Sequence, residues 1–283
     1  MQLRQLKSQF LATLTPHYDA AEAARFFDLL LDAFESKKRI DLVLEPELET
    51  QQVDRWQLAL LALQKFKPIQ YIIGTTVFFD LLFEVTPATL IPRPETEELV
   101  DWILRDTTNP NIALLDMGTG SGCIAIALAK NLPNAQVMAL DISIAALEVA
   151  QRNAMQNGVS IQFINQSILD EATLFNCFAH CQLDIIVSNP PYVRLLEKHE
   201  IQPNVLDYEP HLALFVADED ALLFYRHIGN FAYEHLKKGG KLYVEINQYL
   251  GNETVVLMQQ IGFEAIELRK DCYGNDRMLR CIR

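Results

Sequence analysis

Leu114-Leu115-Asp116-Met117-Gly118-Thr119-Gly120-Ser121-Gly122 carries an apolar strand straight into a turn with three glycines in five positions. A chain that bends this sharply needs residues without a Cβ, so that the backbone can turn and can come close to a ligand. Behind the turn, Cys123–Lys130 reads as a helix, whose first N–H groups lack partners of their own and can face an anionic or polar group. A dinucleotide site would follow G-x-G-x-x-G. Here the third glycine comes one residue early, at Gly122, and Cys123 stands at the dinucleotide position.

The flanking residues extend the pattern. Ile112–Met117 predicts a buried strand and Gln136–Leu140 the next, with Asp141 closing it. A carboxylate at that strand end can accept both hydroxyls of a ribose, each charge-assisted bond being worth about 1.5–3 kcal/mol, and it stands about 20 residues beyond the loop, as nucleoside binding in such a sheet requires. The plain alternative is that Asp141 only starts the next helix, where Ser143 could do the same. Loop and acid together favour a nucleoside, with S-adenosylmethionine and NAD both open.

Helix and strand signals go on alternating. Ile144–Asn157, Ala221–Leu236 and Gly251–Ile261 read as helices; Ile161–Ile164, Asp184–Ser188, Lys241–Ile246 (after the Gly239-Gly240 turn), Phe263–Leu268 and Arg277–Cys281 read as strands. That makes seven strands in all and predicts an α/β, Rossmann-like, parallel doubly wound sheet over residues 93–283. Pro94 sits where a first helical turn tolerates proline, and Glu95, Glu97 and Glu98 suit the positive end of a helix with Leu99, Trp102 and Ile103 on its apolar stripe.

The amino-terminal part reads differently. Leu3, Leu6, Phe10, Leu11 and Leu14 follow the i, i+3, i+4 spacing of one buried helix face; Ala23, Phe26, Phe27, Leu30, Leu31 and Phe34 form a second stripe. A third helix is expected from about Thr50 to Phe66, carrying Val53, Trp56, Leu60 and Leu63. Residues 1–67 are therefore a small helical domain that recognises or supports a partner. Residues 68–92, with Ile69–Gly74 and Val77–Val85 rich in β-branched and aromatic residues and Gly74 as a break, read as a β-hairpin linker.

The 283 residues carry a formal net charge of −13 and a sequence pI near 4.9, so the chain has no general pull toward phosphate backbones and nucleic acid is not an expected partner. Its 5 cysteines show no repeated spacing and its 6 histidines are scattered, so neither a disulfide framework nor a metal is expected. No apolar run approaches the roughly 18 residues of a membrane span. The first residues lack the apolar core of a signal peptide, and the reading is a cytoplasmic monomer.

The strand Leu183-Asp184-Ile185-Ile186-Val187-Ser188 runs directly into Asn189-Pro190-Pro191-Tyr192, at the sheet end where ligands bind in such folds. Two prolines stiffen the segment and remove two N–H donors. An amide or aromatic amine nitrogen is a poor nucleophile because its lone pair is delocalised. Its two hydrogens can be held by the Asn189 side-chain oxygen and the Pro190 carbonyl, which aims the lone pair at an incoming methyl group. Tyr192 offers a flat wall for a planar group. A proline turn with Asn189 as turn former is the plain alternative. At this spacing from the glycine loop and Asp141, the catalytic reading wins, and methyl transfer from a sulfonium, an excellent leaving group, needs no strong base.

Pro68-Ile69-Gln70-Tyr71-Ile72-Ile73-Gly74, Leu90-Ile91-Pro92-Arg93-Pro94-Glu95-Thr96-Glu97, Asp116–Gly122, Asn189–Tyr192, Glu209-Pro210-His211-Leu212-Ala213-Leu214, and Lys270-Asp271 with Asn275-Asp276-Arg277 span nearly the whole chain. Together they resemble the class I S-adenosylmethionine-dependent methyltransferases and, more closely, the release-factor glutamine methyltransferases. The tetrad is shared with adenine and cytosine N-methyltransferases; the Arg93–Glu97 stretch and Glu209-Pro210-His211 make the resemblance specific. It implies methylation of the glutamine side-chain nitrogen, N5, in a Gly-Gly-Gln motif of peptide chain release factors 1 and 2. It also implies that Gly118, Thr119, Gly120, Ser121, Gly122 and Asp141 contact S-adenosyl-L-methionine, that Asn189 touches both cofactor and glutamine, and that Pro190, Pro191 and Tyr192 complete the glutamine pocket. Ile168 stands where some relatives place an aromatic residue beside adenine, and it could pack on that ring. Ala221 and Asn247 occupy positions that are often glycine in relatives. Glu95 and Glu97 are read equally as shaping the site and as helix-end charge. A sister activity on a ribosomal protein uses the same chemistry, and a nucleic-acid adenine N6-methyltransferase is the more distant alternative.

Overall fold

In the computed structural model, which describes residues Met1–Arg283, the amino-terminal apolar stripes wind into α1 (Leu3–Leu14), α2 (Ala20–Glu35), the single turn α3 (Asp41–Leu44) and α4 (Val53–Gln64). Asp19 caps α2 by accepting from the Glu22 amide, and Ser36 ends it in the left-handed region at φ 53. Leu3, Phe10, Leu14, Phe27, Leu30 and Trp56 are buried together, with the Phe27 and Trp56 rings stacked at 4.9 Å. Each such side chain contributes about 1.5–3 kcal/mol by leaving water. Trp56 Nε1 and the Thr50 hydroxyl both donate to Glu35 Oε1, at 2.9 and 2.6 Å.

Ile69–Gly74 departs from the expected hairpin strand: it is a short helix, α5 (Ile69–Ile73). A five-residue segment cannot distinguish strand from helix by periodicity. Here the Pro68 carbonyl accepts from the Tyr71 and Ile72 amides, and Gly74 closes the turn at φ 88. The hairpin proper is β1 (Thr75–Phe78) and β2 (Leu81–Glu84), antiparallel with Thr75 opposite Glu84. Met1–Gly74 and Pro203–Tyr208 make one compact unit, and Thr75–Gln202 with Glu209–Arg283 another.

The second unit continues with α6 (Pro94–Asp106), β3 (Ala113–Met117), α7 (Cys123–Asn131), β4 (Gln136–Asp141), α8 (Ile144–Asn157), β5 (Gln162–Asn165), α9 (Glu171–Cys177) and β6 (Leu183–Ser188). There follow β7 (Val193–Arg194), α10 (Pro203–Leu206, within the first unit), β8 (Phe215–Val216), α11 (Leu223–His235), β9 (Leu236–Glu245), α12 (Gly251–Ile261), β10 (Glu264–Lys270) and β11 (Asp276–Ile282). The main sheet has seven strands in the order β10-β11-β9-β6-β3-β4-β5, as expected for the Rossmann-like class. Its first five strands in chain order pair in parallel, but β11 runs antiparallel to both β9 and β10, against the expectation of a wholly parallel sheet. Parallel neighbours need a long crossover, and only Asp271–Asn275 separates β10 from β11. The buried side chains of α6, α7 and α8 pack on one face of the sheet and those of α9, α11 and α12 on the other. Strand order reverses at β3, which places a crevice above the carboxyl ends of β3, β4 and β6. No helix is long and apolar enough to cross a membrane.

Candidate active site

The glycine turn is held from below by the next strand. The Gly118 and Thr119 amides both donate to the Leu140 carbonyl at 2.9 Å, and the Thr119 hydroxyl donates to Asp116 Oδ2 at 2.6 Å. Gly122 sits at φ 83, where an added Cβ would lie 2.9 Å from Ile126 Cδ1 and 3.1 Å from Ala150 Cβ; glycine is required there for helices α7 and α8 to approach. Gly120, at φ 55, is different: a Cβ on it would meet nothing within 4 Å and would stand in the open cavity. Asp141 closes β4 with both oxygens engaged, Oδ2 accepting from the Gly120 amide at 2.8 Å and Oδ1 from the Ser143 amide at 2.9 Å. Each oxygen keeps a further lone pair, so turn and acid form one unit that still has acceptor capacity. Ser143, not Asp141, caps α8, accepting from the Ala146 amide. Burial pushes the Asp141 carboxyl up, against the amides of Ser143, Gly120 and Ile142. It pushes Asp116 further, up to about 7.

The resulting cavity holds about 380 Å³, within the range of small-molecule sites. Gly118, Thr119, Gly120, Ser121, Asp141, Ile168, Asn189 and Pro191 line it; Gly122, Pro190 and Tyr192 adjoin lining residues in the chain and do not line it themselves. Ile168 is buried and belongs at once to the core beneath the sheet and to the cavity wall. Leu90, Pro92 and Arg93 also line it, as do Pro210, Leu212 and Ala213, from two loops joined by buried Glu209, which accepts from the Ile91 amide at 3.1 Å and from Arg93 Nη2 at 2.6 Å.

The Asn-Pro-Pro-Tyr segment is anchored on side chains from distant parts of the chain. Asn189 Nδ2 donates to Glu245 Oε2 at 2.9 Å and to Thr96 Oγ1 at 3.2 Å. The Thr96 hydroxyl donates to the same Glu245 Oε2 at 2.6 Å, and the Tyr192 hydroxyl to Glu245 Oε1 at 2.9 Å. The Tyr192 carbonyl accepts from Asn247 Nδ2 at 2.9 Å, and that nitrogen also reaches the buried Glu197. Asn247 thus ties down the far end of the tetrad, a task glycine could not perform. Burial beside Glu245 holds the Tyr192 hydroxyl well above its ordinary range, so it is a neutral donor.

Glu245, Thr96 and Asn153 were not singled out as site residues from the sequence. Glu245 had one readable signal: it is the lone charge in the apolar run Leu242-Tyr243-Val244-Glu245-Ile246, at a carboxyl strand end. Asn153 had none; its side chain joins the Ser121 carbonyl to the Glu84 amide and carbonyl, which fastens the hairpin to the glycine turn. Glu97 accepts from the Phe79 amide at 2.9 Å and so steadies the hairpin turn.

The family model described as methyltransferase small domain matches residues 98–207. A protein from Flavobacterium psychrophilum named release factor glutamine methyltransferase is 52% identical over 99% of this chain and 99% of its own length. One of the same name from Bacteroides thetaiotaomicron is 48% identical over 78% of each. Among solved structures, a T. thermophilus 16S rRNA N2 G1207 methyltransferase in complex with AdoMet and guanosine superposes with a TM-score of 0.53 at 19% identity, over 74% of this chain and 49% of that one. At that identity the likeness speaks for the fold alone.

Proposed function

This chain belongs to the release factor glutamine methyltransferase family, and from that premise we propose how its residues bind S-adenosyl-L-methionine and methylate a glutamine side chain. It is an S-adenosylmethionine-dependent methyltransferase that acts on glutamine of peptide chain release factors. The proposed acceptor atom is N5 of the glutamine in a Gly-Gly-Gln motif of release factors 1 and 2.

The cavity suits the cofactor on physical grounds. The space a Gly120 Cβ would take is open, and the second lone pairs of the Asp141 oxygens are of the right kind for two vicinal hydroxyls. In this reading Gly118, Thr119, Gly120, Ser121 and Gly122 carry the backbone that meets the cofactor, Asp141 takes its ribose, and Ile168 packs beside its adenine. Bound, the cofactor supplies a methyl group on a sulfonium whose departure leaves a neutral thioether. Asn189 Oδ1 and the Pro190 carbonyl accept the two amide hydrogens of the glutamine, holding its plane and turning its nitrogen toward the methyl. Pro191 and the Tyr192 ring wall the planar group. Holding the reacting atoms in this way can lower the barrier by several kcal/mol, as positioned intramolecular reactions do. Once alkylated, the nitrogen is acidic and gives its proton to solvent, so no strong base is required of the chain.

The single observation that carries this reading is the Asn189 amide, whose nitrogen is committed to Thr96 and Glu245 while its oxygen remains to accept. The reaction is placed in the cytoplasm, with the chain as a monomer, acting on protein and without nucleic acid; the net charge of −13 supports the last point. Incubation with labelled cofactor and purified release factor, followed by peptide mapping, tests it. Label is expected on the Gly-Gly-Gln glutamine; label on a ribosomal protein or on a nucleic acid instead would redirect the substrate.

A further inference from the structure

Glu245 is 1% exposed, lies behind the cavity wall and has no part in the steps above. A primary amide carries an oxygen acceptor on one branch and two N–H donors on the other, and half a turn about its last bond exchanges them. At Asn189 that exchange is blocked. Its Nδ2 faces Glu245 Oε2 at 2.9 Å and Thr96 Oγ1 at 3.2 Å. The Thr96 hydrogen is spent on Glu245 Oε2 at 2.6 Å, so toward Asn189 the hydroxyl can only accept. The Tyr192 hydrogen is spent likewise on Glu245 Oε1. Turning the amide over would press Asn189 Oδ1 against a carboxylate oxygen, lone pair to lone pair, in a place too buried for water to relieve it.

We propose that Glu245 is a positioning residue that locks the Asn189 amide with its oxygen toward the substrate, so that the site accepts a side chain ending in N–H donors, glutamine, and refuses one ending only in acceptors, glutamate. This deepens the functional reading above and rests on it. With Oδ1 presented, a glutamate carboxylate would meet an acceptor where glutamine brings a donor. A site built to satisfy a donor discriminates strongly against an analogue that lacks it, because its own buried groups are left unpaired.

The lock needs Glu245 as a carboxylate. The ionisable groups that face it are Arg277 on β11, Glu95 on α6, Cys123 on α7, Tyr225 on α11 and Tyr192 in the tetrad. Burial raises its carboxyl above the ordinary range and Glu95 adds to this, while Thr96, Tyr192 and the Arg277 charge oppose it. The acid limb of kcat therefore falls above the ordinary glutamate range, with activity lost as pH drops through it.

The test compares wild type with Glu245→Gln, which keeps the shape but offers donors where only acceptors stood. Calorimetry in the presence of S-adenosylhomocysteine measures binding of release factor with its native glutamine and with glutamate in its place. Wild type is expected to prefer glutamine by about a hundredfold or more, and the variant to lose at least about tenfold of that preference. In the variant, kcat should fall about a hundredfold, cofactor affinity should stay within about threefold, and the acid limb should vanish because glutamine does not titrate. An unchanged glutamine preference together with an unchanged acid limb overturns the proposal. If Glu245→Gln does not fold, Thr96→Val carries the same binding comparison, with a loss of preference of about threefold or more expected and none counting against. Wild type that methylates no release factor would instead sink the functional reading, and this inference with it.

Discussion

The glycine turn at one end of the cavity and the Asn-Pro-Pro-Tyr segment at the other are built in opposite ways. The first is backbone held from the next strand: the Gly118 and Thr119 amides on the Leu140 carbonyl, and the Gly120 amide on the Asp141 carboxylate, all within two consecutive strands and their turns. The second is side chain held by side chain, and its members Thr96, Asn189, Glu245 and Asn247 come from α6, the end of β6, the end of β9 and the loop beyond it. A ligand that rests against a backbone turn tolerates much side-chain change around it. A reacting group gripped by one amide oxygen depends on every partner that fixes that amide. On the proposed reading, binding is spread out here, whereas acceptor chemistry is concentrated.

If that contrast holds, Asn189→Ala gives the largest loss. Removing the acceptor proposed to hold the reacting group should lower kcat by about 10²–10³-fold, in line with other preorganised polar contacts. Cofactor affinity, measured by calorimetry, should stay within about threefold, since the glycine turn is untouched. Turnover retained near the wild-type level would break the contrast outright. Asp141→Ala should come next and fall on the other side: Kd for the cofactor rises about ten- to a hundredfold, as for one lost charge-assisted bond, while kcat at saturating cofactor changes less. An unchanged Kd would remove the ribose contact from the account.

The smallest effect concerns the floor of the turn. Asp116 is fully buried, and its carboxyl is pushed up to about 7 from an ordinary 3.8. The folded state therefore holds that proton more tightly than the unfolded chain, and stability falls as pH rises through the interval between those values. Asp116→Asn, which resembles the protonated form, should flatten that fall by on the order of 1–2 kcal/mol between about pH 5 and about pH 7, read as the difference in denaturant midpoints without cofactor. Parallel curves for the two proteins would show that the turn does not feel the charge beneath it.

Legibility follows the same division. The strand–turn–helix from Leu114, Asp141 at the next strand end, and Asn189–Tyr192 after a third strand could all be read, because glycine, proline and a strand-end acid have local consequences that few other residues share. The helix at Ile69–Ile73 could not be told from a strand, since a five-residue segment is too short to show a period. The antiparallel β10–β11 edge did leave a signal, since residues 269–276 between the two expected strands are too few for a parallel crossover. Glu245 left one trace, a charge inside an apolar strand, but a lone buried acid in a sequence does not say which partners neutralise it.

By itself the sequence determined the order of the seven main-sheet strands, the place of the glycine turn, the kind of group at each strand end and the family to which the chain belongs, since each depends on neighbours a few residues apart. Only the tertiary structure decided which way the Asn189 amide points. That depends on a carboxylate 56 residues away and a hydroxyl 93 residues away, brought to it by pairing of β6 with β9 and by the packing of α6 on the sheet. Hydrogen-bond direction is a property of the assembled partners, and no residue carries it alone.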